Sequence, residues 1–326
     1  MKRGALIFWM LYSLFFAVPF PMILYYSINN QDDINSLWDK NPWLALSLLV
    51  VSILLWCFLL MVFYRKWVLN VFVSKRNIEY LKQHGERREA RILTATKLSK
   101  SNADYDTYEL TLGFKNLVGT EIQQKSGVND ARPIERRFEV GKKVEILIDQ
   151  EMKRIPYFIF ASTEATIHFS VVILRTLGWL LLLAAITGYY LYAYQSESQG
   201  MGWRFMSFGH PLIVCPLVLL SYKILVGLFS KLSGQADDAA LIKFKGVQTT
   251  AKLINASQTG TYINEQPMIL FDLEYTDDRQ QKHRGNLKKI VNLLDLNMTK
   301  QEHIDIFYLK EKPERIAFAS DLNEIS

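Results

Sequence analysis

Residues 43–64 read WLALSLLVVSILLWCFLLMVFY and contain no charged side chain. A helix rises about 1.5 Å per residue, so about 20 apolar residues span the roughly 30 Å hydrocarbon core of a bilayer. The stretch therefore predicts a transmembrane helix. Ala5–Tyr26 is also uncharged. It follows Met-Lys-Arg, but it is too long for a signal-peptide core and no small-residue cleavage site follows it, so we predict a retained helix.

Two later stretches, His168–Tyr194 and His210–Phe229, are apolar except for one basic residue each, Arg175 and Lys223. Both have the length of a membrane span. The predicted spans are therefore four, at about 5–26, 43–64, 168–194 and 210–229.

The basic residues around these stretches predict an orientation, because Lys and Arg are enriched on the cytoplasmic side of membrane helices. Lys2 and Arg3 precede the first stretch, Arg65 and Lys66 follow the second, and the connection Ser27–Asn41 contains three Asp and one Lys. We expect a bacterial inner-membrane protein with both termini in the cytoplasm. The expected organisation is a helix pair (1–64), a cytoplasmic β-domain (65–167), a second helix pair (168–229) and a second cytoplasmic β-domain (230–326).

The two halves of the chain resemble each other. Gly85-x4-Ala90-Arg91 matches Gly246-x4-Ala251-Lys252, and the alternating apolar residues at 108–114 match those at 269–275, both at a spacing of 161 residues. Tyr-Tyr pairs recur at 25–26 and 189–190. This pattern indicates a tandem duplication whose two copies insert in the same direction.

The second polar segment gives the clearer strand pattern. Residues 268–276 alternate between apolar and polar and are followed by Asp277-Asp278, which favours a hairpin turn. We predict five strands, at 247–255, 268–276, 279–286, 304–308 and 315–319, with a short helix around 287–294. Five short strands with a helix between the third and fourth indicate an OB-like, partly open barrel. The fold class is thus membrane α+β, with four transmembrane helices and two OB-like cytoplasmic domains.

These motifs, together with Lys-Pro-x-Arg at 312–315, resemble a family of uncharacterised bacterial membrane proteins in which paired helices carry a small β-domain. The resemblance covers about 85–160 and 246–319. The first copy lacks the Tyr-x-Asn-x-x-Pro turn found at 262–267 and a proline matching Pro313. The family implies the helix-plus-β-domain architecture and no activity.

No catalytic motif is present: the chain has no P-loop, no Gly-x-Ser-x-Gly, no His-Glu-x-x-His and no Cys-x-x-Cys. Cys57 and Cys215 both lie in predicted spans, which excludes a disulfide framework and a cysteine-rich metal site. We expect no cofactor. His168 and His210 stand at the ends of predicted spans and are interpreted as interfacial residues. The predicted spans contain no Asp or Glu, which argues against a proton-coupled pump.

Basic side chains are the main candidates for contacts with a membrane or a partner. Anionic headgroups attract Lys and Arg next to a span, and a charge within a span is a functional candidate. Arg175 and Lys223 lie about two turns from the cytoplasmic ends of their helices, close enough to reach the interface. Basic and aromatic residues do not alternate on the strands, so we expect no nucleic acid partner. The candidate contact residues are Arg65, Lys66, Arg132, Arg136, Arg137, Arg175 and Lys223.

The leading hypothesis is a non-enzymatic membrane protein that binds an unknown protein partner, as an interaction, accessory or immunity-type factor. The expected partners are the bilayer, its anionic headgroups and that protein. Association with a second copy of the chain, as a homo-oligomer, is a further possibility that the sequence leaves open. The alternative is a small channel or transporter component in which Arg175 and Lys223 lie near the pathway. An enzyme is the third and least supported hypothesis.

Overall fold

The structure is a computed structural model that describes residues 3–28, 37–99, 105–130, 132–232, 239–263 and 265–324. The chain is a mixture of apolar helices and two curled, five-stranded sheets. It divides into two compact units. The helical unit comprises Met1–Val73 and Thr166–Leu228, and the sheet unit comprises Ser74–Ala165 and Phe229–Ser326.

The apolar stretches of the sequence form helices. In the part of the chain that the structure describes, three helices are long and apolar enough to cross a membrane, namely Ile7–Ile28, Pro42–His84 and Phe169–Glu197. The apolar part of a fourth helix, Pro211–Leu225, is shorter. The α-helices are α1 (Arg3–Ala17), α2 (Pro19–Ile28), α3 (Pro42–Tyr64), α4 (Asn70–His84), α5 (Phe169–Glu197), α6 (Pro211–Leu232), α7 (Ala239–Lys245) and α8 (Ala319–Glu324). Shorter 3₁₀ turns are Pro133–Glu135, Gly202–Phe205 and Leu293–Lys300.

The helix that contains the uncharged stretch 43–64 does not end at Tyr64. A π-helical segment, Arg65–Leu69, joins α3 to α4, so the helix continues to His84. Gly85 ends it, because its N–H bonds to Leu81 O and a Cβ there would lie 2.4 Å from that oxygen. Gly246 ends α7 in the same way, with Ile242 O at 2.3 Å. Only glycine fits at these two transitions from helix to strand.

Within the described residues, ten strands form two antiparallel sheets. Sheet 1 contains β1 (Glu86–Lys97), β2 (Asp106–Lys115), β3 (Glu121–Asp130), β4 (Lys143–Ile148) and β5 (Phe158–Phe160). Sheet 2 contains β6 (Gly246–Ile263), β7 (Gln266–Thr276), β8 (Lys282–Ile290), β9 (His303–Leu309) and β10 (Lys312–Phe318). In sheet 2 the edge strands approach each other, since a Cβ on Gly285 would lie 2.7 Å from Ile316 Cδ1.

The five strands expected in the second polar segment are present, but the helical turn falls later than expected. Leu287 and Ile290 belong to β8, where they pair with Phe271 and Met268. The helical turn is the 3₁₀ segment Leu293–Lys300. Leu287 and Ile290 have helical spacing, but they extend the strand, because β8 stays paired with β7 as far as Met268.

The two sheets share their strand order and register. The orders are β3-β2-β1-β4-β5 and β8-β7-β6-β9-β10. Ala90 pairs with Val144 in sheet 1, and Ala251 pairs with Ile304 in sheet 2. A bulge follows Ile92 in β1, and another follows Leu253, 161 residues later, in β6.

The sheets pack into a single body through α7. Ile242 and Phe244 of α7, with Leu309 of β9, join the same buried cluster as Ile92 and Phe114 of sheet 1. The Asn116 side chain fixes this contact, because its Nδ2 donates to Lys243 O at 3.1 Å and to Gly246 O at 2.8 Å. Leu117 N also donates to Phe244 O at 3.0 Å.

Candidate functional site

The helical unit contains a partly buried carboxylate at the C-terminal end of α5. Glu197 accepts a hydrogen bond on Oε2 from the Tyr25 hydroxyl at 2.9 Å and one on Oε1 from the Tyr26 hydroxyl at 2.8 Å. The Tyr26 hydroxyl also lies 3.2 Å from the Tyr189 hydroxyl. Tyr25 and Tyr26 belong to α2, and Glu197 belongs to α5. The carboxylate therefore connects two helices that are far apart in the sequence.

A fully buried histidine faces the same carboxylate. His210 precedes α6, and its Nδ1 accepts the N–H of Leu212 at 3.1 Å, a role that a ring nitrogen fills only without a proton. In the neutral ring the proton is then on Nε2, which lies 3.4 Å from Glu197 Oε2. The rings of Tyr25, Tyr189 and Phe205 surround it at centroid distances of 4.8, 6.2 and 5.5 Å. We refer to Tyr25, Tyr26, Tyr189, Glu197 and His210 as the Glu197 cluster.

A second polar contact lies at Tyr190, next to the cluster, and joins α3, α5 and α6. Ser52, fully buried in α3, lies 2.5 Å from the Tyr190 hydroxyl and donates to Leu212 O at 2.8 Å. Trp56 Nε1 donates to the same carbonyl at 3.0 Å. Hydrogen bonds between polar side chains of neighbouring helices lock those helices in one register. The arrangement supplies buried donors and a partly buried anion, and it contains no activated nucleophile.

Sequence reasoning missed this cluster. The sequence does not single out Glu197, and it indicates an interfacial role for His210, whose side chain the structure buries completely. The Tyr-Tyr pairs at 25–26 and 189–190 were recognised only as a sign of duplication, although three of these four residues are cluster members. Two aromatic pairs at matched positions in apolar helices were the signal, because a buried tyrosine hydroxyl requires a partner.

The predicted contact residues of the helical unit are placed as follows. Arg175 Nη1 donates to Trp67 O in the π segment at 3.4 Å, and the π segment also carries the exposed side chains of Arg65 and Lys66. Lys223 Nζ lies 5.9 Å from the centre of the Phe58 ring. The structure thus brings Arg175 to the segment that contains two of the other candidates.

The three candidates of the sheet unit lie around the 3₁₀ turn Pro133–Glu135, and each has an acidic neighbour. Arg137 Nη2 lies 2.5 Å from Asp130 Oδ1. Arg132 Nη1 lies 3.4 Å from Glu135 Oε1, and Arg136 Nε lies 3.8 Å from Glu139 Oε1. These pairs reduce the net positive charge that the loop presents.

The adjacent acids of the β7–β8 turn have separate partners. Asp277 Oδ2 lies 2.9 Å from His283 Nε2, and that hydrogen bond lowers the pKa of the Asp277 carboxyl. Asp278 Oδ2 accepts from Lys310 Nζ at 2.6 Å, which lowers the pKa of Asp278. Each carboxylate stabilises the turn rather than forming an acid–base pair with the other.

No protein-family model, curated protein or solved structure matches the chain. Within the part of the chain that the structure describes, no three His, Cys, Asp or Glu side chains are grouped so that they could hold a metal ion.

Proposed function

We propose that the chain is a non-enzymatic, multi-pass protein of a bacterial inner membrane that binds a protein partner through its paired sheets. In this proposal four helices cross the bilayer, the two sheets are OB-like barrels in the cytoplasm, and the two halves are tandem copies. The shared strand order, register and bulge position support the duplication. The uncharged length of the helices and the basic residues beside them support the topology.

The observation that carries the binding role is a cleft formed jointly by both sheets. It has a volume of about 790 Å³ and receives Arg91 and Gln123 from sheet 1 and Gln248 and Phe307 from sheet 2. Since a common core and Asn116 hold the sheets together, the cleft has a fixed shape. A preformed cleft binds with a smaller loss of conformational entropy than two freely moving modules.

Site-specific crosslinking tests this role. A photoreactive amino acid at Gln248, inside the cleft, should give a discrete protein adduct in native membranes. The same amino acid at Lys282, whose side chain is 79% exposed and outside the cleft, should not give it. Arg91→Glu should abolish the Gln248 adduct. Recovery of only lipid and the chain itself from both positions would contradict the proposal.

The alternative function, a channel or transporter component, is favoured by one observation. Ionisable side chains that face the interior of a helical bundle often mark a solute or proton pathway. Glu197, the last residue of α5, lies 3.4 Å from His210, which precedes α6. Arg175 and Lys223 would then lie near the pathway. Ion flux through liposomes containing the full chain should fall in Glu197→Gln and in the Arg175→Gln/Lys223→Gln variant. Flux equal to that of empty liposomes eliminates this function.

A further inference from the structure

Helices α3 and α4 follow one another without a break in the chain of helical residues, and the π segment Arg65–Leu69 lies between them. Such segments break the regular pattern of backbone hydrogen bonds and often occur at functional sites. Arg175, on the neighbouring helix α5, donates one N–H to the carbonyl of Trp67 within it. A guanidinium has five N–H groups, so this contact orients the side chain and leaves donors for a ligand.

The charges at this segment have no acidic partner among the residues that the structure describes. Arg65, Lys66 and Arg175 are exposed, and no carboxylate among the described residues lies within ion-pair distance of them. The arginines near Pro133 differ, because Asp130, Glu135 and Glu139 pair with them. Of the predicted contact residues, Arg65, Lys66, Arg175 and Lys223 have no such carboxylate among the described residues, and the first three lie together at the π segment.

Aromatic side chains surround the same segment. The rings of Trp67 and Phe63 stack with their centroids 5.4 Å apart, and the ring centroids of Tyr64 and Trp179 are 5.3 Å apart. Trp and Tyr are enriched at the level of lipid headgroups, where phosphate groups also lie. Arginine binds phosphate oxygens in a bidentate manner, and neighbouring Lys and Arg strengthen that interaction.

We propose that Arg65, Lys66 and Arg175 form a binding site for the phosphate of an anionic phospholipid headgroup. The site rests on the proposed membrane topology, and it assigns to the π segment the task of aligning Arg175 with the two preceding basic residues. A zwitterionic headgroup carries its own cation next to the phosphate and binds less tightly. Soluble phosphate has the same chemistry and is the competing source of the anion.

Native mass spectrometry of the full chain in detergent measures this binding. Dioleoyl-phosphatidylglycerol should bind more tightly than dioleoyl-phosphatidylcholine. Each basic residue near an anionic surface contributes about 1 kcal/mol, so Arg175→Gln should weaken phosphatidylglycerol binding about five-fold and Arg175→Gln/Lys66→Gln about 25-fold. Arg175→Lys keeps the charge but loses the fork, and its effect should be smaller than that of Arg175→Gln.

Arg204→Gln is the matched control. Arg204 Nη1 also donates to a tryptophan carbonyl, Trp38 O, at 3.2 Å, but Lys40 is the one other basic residue of the two connections 27–41 and 195–208. This variant should leave the binding of phosphatidylglycerol unchanged. Equal losses in Arg175→Gln and Arg204→Gln, or equal binding of the two lipids, would overturn the site.

Two further measurements separate the causes of a negative result. If 10 mM inorganic phosphate displaces the lipid, soluble phosphate is the ligand and the lipid assignment is wrong. Flotation of the variants with liposomes tests insertion independently. Loss of lipid selectivity with intact flotation refutes only the site, whereas loss of flotation in the unmodified protein refutes the topology on which the site rests.

Discussion

Glu197→Ala removes the acceptor on which two tyrosines of α2 converge. Hydrogen bonds to a charged group contribute about 1.5–3 kcal/mol each. The Glu197 side chain is 16% exposed, which places both bonds near the lower value, and their combined loss should cost about 3 kcal/mol. That cost corresponds to a decrease in melting temperature on the order of 10 °C.

Tryptophan fluorescence reports on the helical unit selectively, because all seven tryptophans lie within residues 1–73 and 166–228. Thermal unfolding of the full chain in detergent should show the decrease in Glu197→Ala and a smaller one in Glu197→Gln, which keeps a neutral acceptor. Gln195→Ala changes an exposed residue on the same helix end and should stay within about 0.5 kcal/mol of the unmodified protein.

A double-mutant cycle with Tyr26→Phe isolates the proposed hydrogen bond. The Tyr26 hydroxyl also contacts Tyr189, so its loss has a cost even when Glu197 is absent. The coupling free energy between Tyr26 and Glu197 should nevertheless be about 1.5 kcal/mol. A coupling below about 0.3 kcal/mol, or an unchanged melting temperature in Glu197→Ala, would refute the role of the carboxylate in joining the helices.

Three further predictions concern the sheet unit, whose urea unfolding can be followed by far-UV circular dichroism. Lys243 is 1% exposed, and burial lowers its pKa from 10.5 to about 8, so its protonation opposes folding. Lys243→Met should therefore stabilise the unit by up to about 3 kcal/mol at pH 7 and by progressively less towards pH 10.5; a difference that does not change with pH contradicts this. Gly246→Ala should lower the free energy of unfolding by about 2–3 kcal/mol, because the added Cβ would lie 2.3 Å from Ile242 O. Gly127→Ala is the control and should be neutral, because nothing lies within 4 Å of its Cβ. Equal effects of the two substitutions would refute the close approach at Gly246. The pKa of Asp277 is lowered from 3.8 by its hydrogen bond to His283, so this carboxylate stabilises the fold above that value and the contribution disappears as the pH falls below it. Asp277→Asn should be less stable than the unmodified protein at pH 7 and should lose less stability on acidification to pH 3, and an identical acid response would exclude the pair.

The parts of the structure that follow from local sequence were predictable. The uncharged stretch 43–64 predicts a helix because apolar length is a property of consecutive residues, and the alternation at 268–276 predicts β7 for the same reason. The π segment was not predicted, since 65–69 has no signature that distinguishes it from an ordinary helical turn. The helix therefore continued past Tyr64, where the sequence had indicated a boundary.

The Glu197 cluster could not be predicted from local sequence. Its members come from segments separated by 172 residues in the case of Tyr25 and Glu197, and their convergence depends on how the helices pack. The state of His210 depends on a backbone N–H at Leu212, which no sequence pattern reveals. Likewise, Arg175 was recognised as a candidate by its charge, but its contact with the Trp67 carbonyl depends on the position of a different helix.

The topology is tested most directly by cysteine labelling with a membrane-impermeant maleimide, in spheroplasts and after lysis. Three single cysteines in a background without Cys57 and Cys215 suffice: Arg87→Cys in sheet 1, Lys282→Cys in sheet 2 and Phe208→Cys in the connection between α5 and α6. All three side chains are exposed. We predict labelling of Phe208→Cys in intact spheroplasts, and labelling of the other two only after lysis. Labelling of Arg87→Cys or Lys282→Cys from the outside would contradict the proposed arrangement of the chain in the membrane.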